Sequence, residues 1–370
     1  MKIFFDHQAF VGAKYGGIAR YFFELMKAMS HRQEVDFELS VKITNNEYLK
    51  GSPFGKSLRY DAFSNNLRLN QILSVVNRIY SIARLRKQNF DIFHPTYYHT
   101  YFLNHIGSKP MVLTFHDVLS EKYKTRFPVL GEGLTEVKQK LLHRADAVIA
   151  ISEATKRGIL EYFEVDESKI KVIPLGNYFS GLEGVVQPNL QLPPRYVLFV
   201  GKREYYKNFE RFFEAMVPVL KKDDTLSLVC GGGGGFTEQE KYMFCSNGLE
   251  KQIVYQSIFD DTTLRQLYAN AQAFVFPSLM EGFGLPILEA MSSNCPVIAT
   301  KGTSFDEIAA DAAVYFEAEN SESIREAIER VIYDAELQTQ MRQKGAQRVP
   351  IFKPETTLLK TLEVYQNLTV

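Results

Sequence analysis

A repeated switch between short apolar runs and helical patterns constrains this chain more than any other feature. Lys2–Phe5, Asp91–His94, Met111–Phe115 and Ala147–Ile151 are strand candidates in the first half. Each is followed by polar or turn residues and then by a helical stretch, the first being Ile18–Met29. Such short buried runs alternating with helices predict parallel sheets covered on both faces. The pattern breaks at 176–195, where GNYFSGLEGVVQPNLQLPPR is rich in Gly and Pro and reads as a linker. It then restarts. Tyr196–Val200 is a strand ending in Gly201, Asn208–Leu220 a helix, and Leu226–Cys230 a strand ending in the glycines 231–235. Ala273–Phe276, the helix Pro286–Ser293 and the strand Val297–Ala299 follow. The expected class is α/β, with two doubly wound domains, which suits 370 residues. Ligands of open α/β sheets sit outside the carboxyl ends of the strands, so two such domains facing a central cleft would place function there.

Composition removes several classes. Lys plus Arg and Asp plus Glu are both 43, so a generally basic nucleic-acid binder is disfavoured. The balance hides a split: residues 1–180 hold 25 Lys/Arg against 18 Asp/Glu, and residues 181–370 the reverse. Cys230, Cys245 and Cys295 form no C-x-x-C pair, which argues against a disulfide framework and for a reducing compartment. The start MKIFFDHQ lacks the apolar core of a secretory signal, and no apolar run is long enough to span a bilayer. A cytoplasmic protein is expected.

The strongest local signal is PSLMEGFGLPILEAM, residues 277–291. A strand ends, a glycine-bearing turn follows, and Pro286 suits the first helical turn. Amides at such a helix start, with the positive end of the helix dipole, suit a phosphate. Glu281 and Glu289 would repel it unless they bind something else, and sugar hydroxyls are natural donors to carboxylates. The second signal is FVGKREYYKNF, residues 199–209, where Arg203 and Lys207 set two cations beside another helix start. Gly16-Gly17 before the first helix would let a ligand approach the backbone. The pentaglycine at 231–235 is not G-x-G-x-x-G, because Phe236 fills the last required place, so a nicotinamide cofactor is poorly supported.

Together these residues resemble the retaining nucleotide-sugar glycosyltransferases of the GT-B fold, family 4. Glu281 and Glu289 have that family's E-x7-E spacing, and Gly201 to Asn208 resembles its diphosphate-binding run. PVIAT at 296–300 and DEI at 306–308 also match, as do YGGIARYF, DIFHPTYY, TFHD and AVIAISEAT in the first half. The resemblance implies an acceptor-binding N-terminal domain at 1–180, a donor-binding domain at 188–354, and a last helix near 355–370 packed back on the first. It implies that Gly16 and Gly17 contact the donor phosphate and that Arg203 and Lys207 hold the diphosphate. Glu289 would bind ribose, with Ser257 and Ile258 in the base loop. Glu281 and the amides of Gly282, Phe283, Gly284 and Leu285 would hold the transferred sugar. His116 matches an active-site histidine beside that sugar; the plainer alternative is a strand-end histidine bonded to Asp117. The resemblance further implies retention of configuration, and no metal or other cofactor is expected.

The best expectation for the donor is GDP-mannose or a related sugar, and for the setting surface polysaccharide or O-antigen assembly. The acceptor would be a glycan or a lipid-diphosphate-linked glycan. From 62 to 90 no acidic residue occurs, while Arg68, Arg78, Arg84, Arg86 and Lys87 do. With Leu69, Ile72, Leu73, Val76, Ile79, Tyr80 and Ala83 at helical spacing, this is either an anionic-membrane contact or an ordinary domain helix. Open alternatives are a UDP-sugar transferase of the same fold, a phosphorylase or epimerase, and a non-catalytic nucleotide-sugar-binding protein.

Overall fold

The computed structural model describes residues 1–12, 14–54, 58–59, 67–130, 133–179 and 190–369. The start of the 62–90 segment, with the Arg68 and Leu69 side chains, lies outside the described residues, as do 180–189 of the expected linker. The chain divides into two compact units, Met1–Gly176 with Pro354–Val370, and Asn177–Lys353. No helix among the described residues is long and apolar enough to cross a membrane.

The first unit holds strands β1 (Lys2–Phe5), β2 (Asp36–Leu39), β3 (Ile43–Thr44), β4 (Leu58–Arg59), β5 (Ile92–His94), β6 (Val112–Phe115), β7 (Ala147–Ala150) and β8 (Ile170–Val172). Two three-stranded parallel sheets, β2-β1-β5 and β6-β7-β8, meet through a parallel bridge between Phe93 and Met111. The small β3-β4 pair stands apart. Strand order therefore reverses between β1 and β5. Phe4, Phe5, Phe22, Phe93 and Phe115 fill the core beneath helix Gly17–Met29 and its neighbours. The last helix, Pro354–Gln366, belongs to this unit. Its buried Tyr365 hydroxyl lies 2.6 Å from His94 Nδ1, and Thr357 donates to the Pro174 carbonyl.

Helix Leu67–Leu85 corrects the expected apolar stripe. Its buried face is Leu73, Asn77, Ser81 and Leu85, while Ile72, Val75, Val76 and Ile79 are exposed. The reason is polar bonding. The Asn77 amide accepts from the Lys42 and Ile43 backbone and donates to the Ile43 and Leu73 carbonyls, and Ser81 is bonded to Ser40. Satisfied polar groups are tolerated in a core, so the helix turns them inward.

The second unit is one six-stranded parallel sheet of β9 (Tyr196–Val200), β10 (Ser227–Gly231), β11 (Ile253–Gln256), β12 (Ala273–Phe276), β13 (Val297–Thr300) and β14 (Ala313–Phe316). The order is β11-β10-β9-β12-β13-β14, the doubly wound arrangement, and it reverses between β9 and β12. A cluster of Phe199, Phe209, Phe212, Phe213 and Phe244 packs helix Phe209–Lys222 onto one face. Cys230 and Cys295 are buried free thiols and Cys245 is an exposed one.

Candidate active site

The turns after β9 and β12 leave the sheet side by side at the reversal of strand order, where doubly wound sheets bind ligands. These turns carry the two strongest sequence signals, and the structure binds them together. The Leu279 amide donates to the Tyr206 carbonyl at 2.7 Å. Asn208 donates from its side-chain amide to the Pro277 carbonyl at 3.2 Å and the Ala318 carbonyl at 2.7 Å. Asn208 itself sits in the left-handed region (φ +57°), as does Tyr205 (φ +50°), so two left-handed residues flank Lys207. Asn tolerates that conformation; a tyrosine there stores strain of about 1–3 kcal/mol.

Across this junction Lys207 Nζ donates to Glu281 Oε1 at 2.6 Å. Both side chains are one-fifth exposed, so the pair is open to exchange with a ligand. Burial works against the Lys207 charge, but Glu281 and Tyr206 more than offset it and hold the ammonium above its usual range. Lys207 is therefore cationic throughout the neutral range.

Beyond Glu281 the chain turns into helix Leu285–Ser292. Gly284 has φ +120°, which favours glycine, and a Cβ there would also crowd the Phe305 ring at 3.1 Å. Buried Ser304 clamps the turn from outside, donating to the Glu281 carbonyl at 2.9 Å and the Phe283 carbonyl at 2.7 Å. At this helix start Pro286 has no N–H and the Ile287 N–H donates to the Gly284 carbonyl at 2.9 Å, so the Leu285 amide is the one left at the positive end of the dipole. Glu289 lies on the helix, nine-tenths buried, with the Tyr268 hydroxyl 3.3 Å from its Oε2. One cation, one helix start and two carboxylates thus lie at the strand-order reversal.

Arg203 is placed differently from the open cation that the sequence suggested. Its side chain is 4% exposed and bound by its own chain. Nε donates to Glu240, Nη1 to the Gly232 carbonyl at 3.2 Å, and Nη2 to the Gly234 and Gly235 carbonyls at 2.8 and 3.0 Å. The Phe236 ring lies 5.0 Å away. Glu240 also closes a capping box with Thr237 on helix Glu238–Ser246. Burial alone would raise its carboxyl, but Arg203 and the Thr237 amide hold it below the usual range. The guanidinium thus organises the pentaglycine loop. That loop needs glycine for a steric reason as well, because a Cβ at Gly233 would stand 2.2 Å from the Gly201 carbonyl oxygen.

Ser257 and Ile258 follow β11 and are half-buried. The Ile258 side chain packs on the end of β10, within 3.3 Å of where a Cβ on Gly231 or Gly232 would lie. Ser257 Oγ is 3.4 Å from the Tyr255 hydroxyl.

The other site residues lie in the first unit. Gly17 opens the first helix and Gly16 caps it in an extended conformation, with open space where a Cβ would project. His116 follows β6 and is 6% exposed. Its backbone N–H donates to the Tyr98 hydroxyl at 2.7 Å, while its Nε2 is buried with no hydrogen-bond partner among the described residues. No hydrogen bond joins it to Asp117, which instead accepts from the Leu119 amide. Burial brings the His116 imidazole down to about 4, Asp117 opposing and Lys138 assisting, so it is neutral near pH 7. Lys138 is fully buried beneath this turn, donating to the Asp117 carbonyl, Ser120 and Glu121.

Sequence reasoning did not assign roles to Asn208, Glu240, Tyr268, Ser304 or Lys138. Only Glu240 carried a readable signal, the T-x-x-E of a capping box at 237–240.

Comparison with known proteins covers both units. The family model described as Glycosyl transferases group 1 matches residues 185–348, and that of Glycosyltransferase Family 4 matches 15–176. The chain is 26% identical to the O-antigen chain mannosyltransferase B of Escherichia coli, over 95% of this chain and 96% of that protein. It is 28% identical to the O-antigen chain mannosyltransferase RfbU of Salmonella typhimurium over 59% and 60% of the two chains. The sucrose-phosphate synthase structure from Thermosynechococcus elongatus superposes with a TM-score of 0.79 at 20% identity, covering 100% and 99% of the two chains. Anabaena HepE in complex with UDP-glucose gives 0.72 at 17% identity, covering 99% and 100%. Two family matches that together run through most of both units, over two Rossmann-like folds, make this chain a glycosyltransferase of group 1 and family 4, with the GT-B architecture.

Proposed function

We propose that this enzyme moves a hexose, mannose from GDP-mannose in our reading, to a glycan or lipid-diphosphate-linked glycan during surface polysaccharide assembly. The O-antigen mannosyltransferase similarity along nearly the whole chain supports the sugar and the setting. The observation that carries the reaction class is the Lys207–Glu281 pair at the start of helix Leu285–Ser292.

When a nucleoside-diphosphate sugar binds, the diphosphate replaces Glu281 as the partner of Lys207. The start of helix Leu285–Ser292 faces the same phosphates with the positive end of its dipole. Glu281, released, accepts hydrogen bonds from the sugar hydroxyls. Glu289, oriented by Tyr268, accepts from the ribose, and Ser257 with Ile258 flank the base. As the glycosidic bond breaks, negative charge grows on the departing diphosphate. Lys207 and the helix start are already aimed at it, so stabilisation needs no rearrangement. This fixed positive charge is why we propose a metal-independent reaction. Retention of configuration follows from the family reading.

The acceptor side includes the exposed face of helix Leu67–Leu85. Ile72 and Ile79 are 60% and 62% exposed, and Arg86 and Lys87 follow its end. We propose that this face rests on an anionic membrane that holds a lipid-linked acceptor. Co-sedimentation with anionic liposomes should fall in Ile72→Ser/Ile79→Ser. Equal binding by wild type and variant would remove the membrane from the proposal.

The donor is tested by incubating the enzyme with GDP-mannose, UDP-glucose or UDP-N-acetylglucosamine, with and without EDTA, and measuring nucleotide release. GDP release that survives EDTA is expected. Turnover confined to a UDP-sugar would overturn the donor, and turnover abolished by EDTA the metal-independent step.

A further inference from the structure

The first unit has its own strand-order reversal, between β1 and β5, and a cavity of about 400 Å³ opens there. That is within the usual size range of small-molecule sites. The turn after β1 supplies His7 and Gln8, the turn after β5 supplies Tyr97, His99 and Tyr101, and helix Leu67–Leu85 supplies Arg78. Nothing assigned above to the donor uses these residues.

The wall is held from behind. Asp6 is fully buried and takes no part in the lining. Its carboxylate accepts from the Thr96 amide at 2.9 Å, Thr96 Oγ1 at 2.8 Å, the Tyr101 hydroxyl at 2.9 Å and the Gln8 amide at 2.6 Å. These donors hold the carboxylate behind the wall, outside the lining. His7 Nδ1 is 2.8 Å from Ser81 Oγ, which fixes the ring and leaves Nε2 as its other nitrogen. Arg78 is half-buried and has no carboxylate partner among the described residues. Burial is the main reason that protonation of His7 and His99 is disfavoured; Arg78 is near enough to add to it, and the Asp6 charge opposes it. Among the described lining residues Arg78 is the one permanent charge, and there is no carboxylate. Tyr97 and Tyr101 offer ring faces, while Gln71 and Ser74 offer hydroxyl-matching polar groups.

We propose that this cavity binds an acceptor sugar carrying an anionic substituent, a carboxylate or a phosphate, with Arg78 reading the charge and the tyrosines and amides reading the ring. The inference rests on the transferase reading above and names a property of the acceptor that the reading leaves open. A guanidinium forms two parallel bonds to either group, so both sources satisfy it.

The test is titration of the full chain, at low salt, with methyl β-D-glucuronide, glucose 6-phosphate and methyl β-D-glucoside. At least one anionic sugar should bind about tenfold tighter than the neutral one, as expected for a charge-assisted bond. Whichever binds tighter identifies carboxylate or phosphate. Arg78→Gln should abolish the preference and leave neutral-sugar binding unchanged. Equal binding of all three, no binding at millimolar concentration, or a preference that survives Arg78→Gln would overturn the proposal. Titrating GDP into the same samples separates two failures. Intact nucleotide binding without an anion preference overturns this inference alone, whereas absent nucleotide binding overturns the transferase donor site.

Discussion

Arg203 is held by its own chain, which makes loop positioning its proposed role. Its guanidinium is spent on Glu240 and three loop carbonyls. If it acts by positioning the glycine loop, then Glu240→Gln should raise the KM for the donor several-fold with little change in kcat, although Glu240 pairs with Arg203 inside the chain. A Glu240→Gln enzyme with an unchanged donor KM would mean that Arg203 acts on the donor directly. Removing Arg203 leaves a half-buried carboxylate without its charge partner, so Arg203→Met should cost about 1.5–3 kcal/mol in urea denaturation. Asn208 makes a second residue-scale test. Asn208→Ala loses two hydrogen bonds and puts alanine, which tolerates the left-handed region less well than asparagine, at φ +57°, with an expected loss of about 2–4 kcal/mol. Asn208→Gly should recover the conformational part only. Equal losses in the two variants would assign the whole effect to the hydrogen bonds. The sequence announced the cations and carboxylates by type and spacing, yet it did not show that Arg203 pairs 37 positions downstream. That pairing depends on where the fold puts helix Glu238–Ser246, which spacing does not encode.

Among elements, the last helix is the one whose role is most testable. Tyr365 binds His94 at Nδ1, and Thr114 binds the same ring at Nε2. Burial takes the His94 imidazole from 6.5 down to about 3, with His116 adding to the effect. His116 falls to about 4 for the same first reason. A folded chain that resists protonation loses stability once the unfolded chain takes up protons. Stability should therefore be full above about pH 6.5 and decline as pH falls towards 4, by up to about 1.4 kcal/mol per pH unit for each histidine. Urea denaturation at pH 7, 6 and 5 measures this slope, and His94→Gln should lower it by one histidine's share. The same slope in wild type and His94→Gln would contradict the assignment. Strand and helix order were legible because buried strands and covering helices differ in apolar period. The inward face of helix Leu67–Leu85 was not, since Asn77 and Ser81 read as solvent residues until their partners at Lys42, Ile43 and Ser40 are in place.

At the scale of the molecule, two doubly wound units carry polar groups at the reversal of their strand order. In the second unit we propose that they hold a diphosphate and sugar hydroxyls. In the first they surround a cavity whose described lining carries one guanidinium and no carboxylate. The second site was visible in the sequence because its residues are contiguous within two short turns. The first was hidden, because His7, Arg78 and His99 meet only after β1, β5 and a long helix are assembled. The one available signal was the Asp6-His7 pair at the carboxyl end of the first strand. The central claim is that Lys207 and the start of helix Leu285–Ser292 form a metal-free diphosphate site. Calorimetric titration of wild type and Lys207→Ala with GDP, UDP and ADP, with and without EDTA, tests it most directly. One nucleotide should bind wild type equally with and without EDTA, and Lys207→Ala should weaken it by about 1.5–3 kcal/mol. Binding that vanishes with EDTA, or that is as tight in Lys207→Ala as in wild type, would contradict the claim.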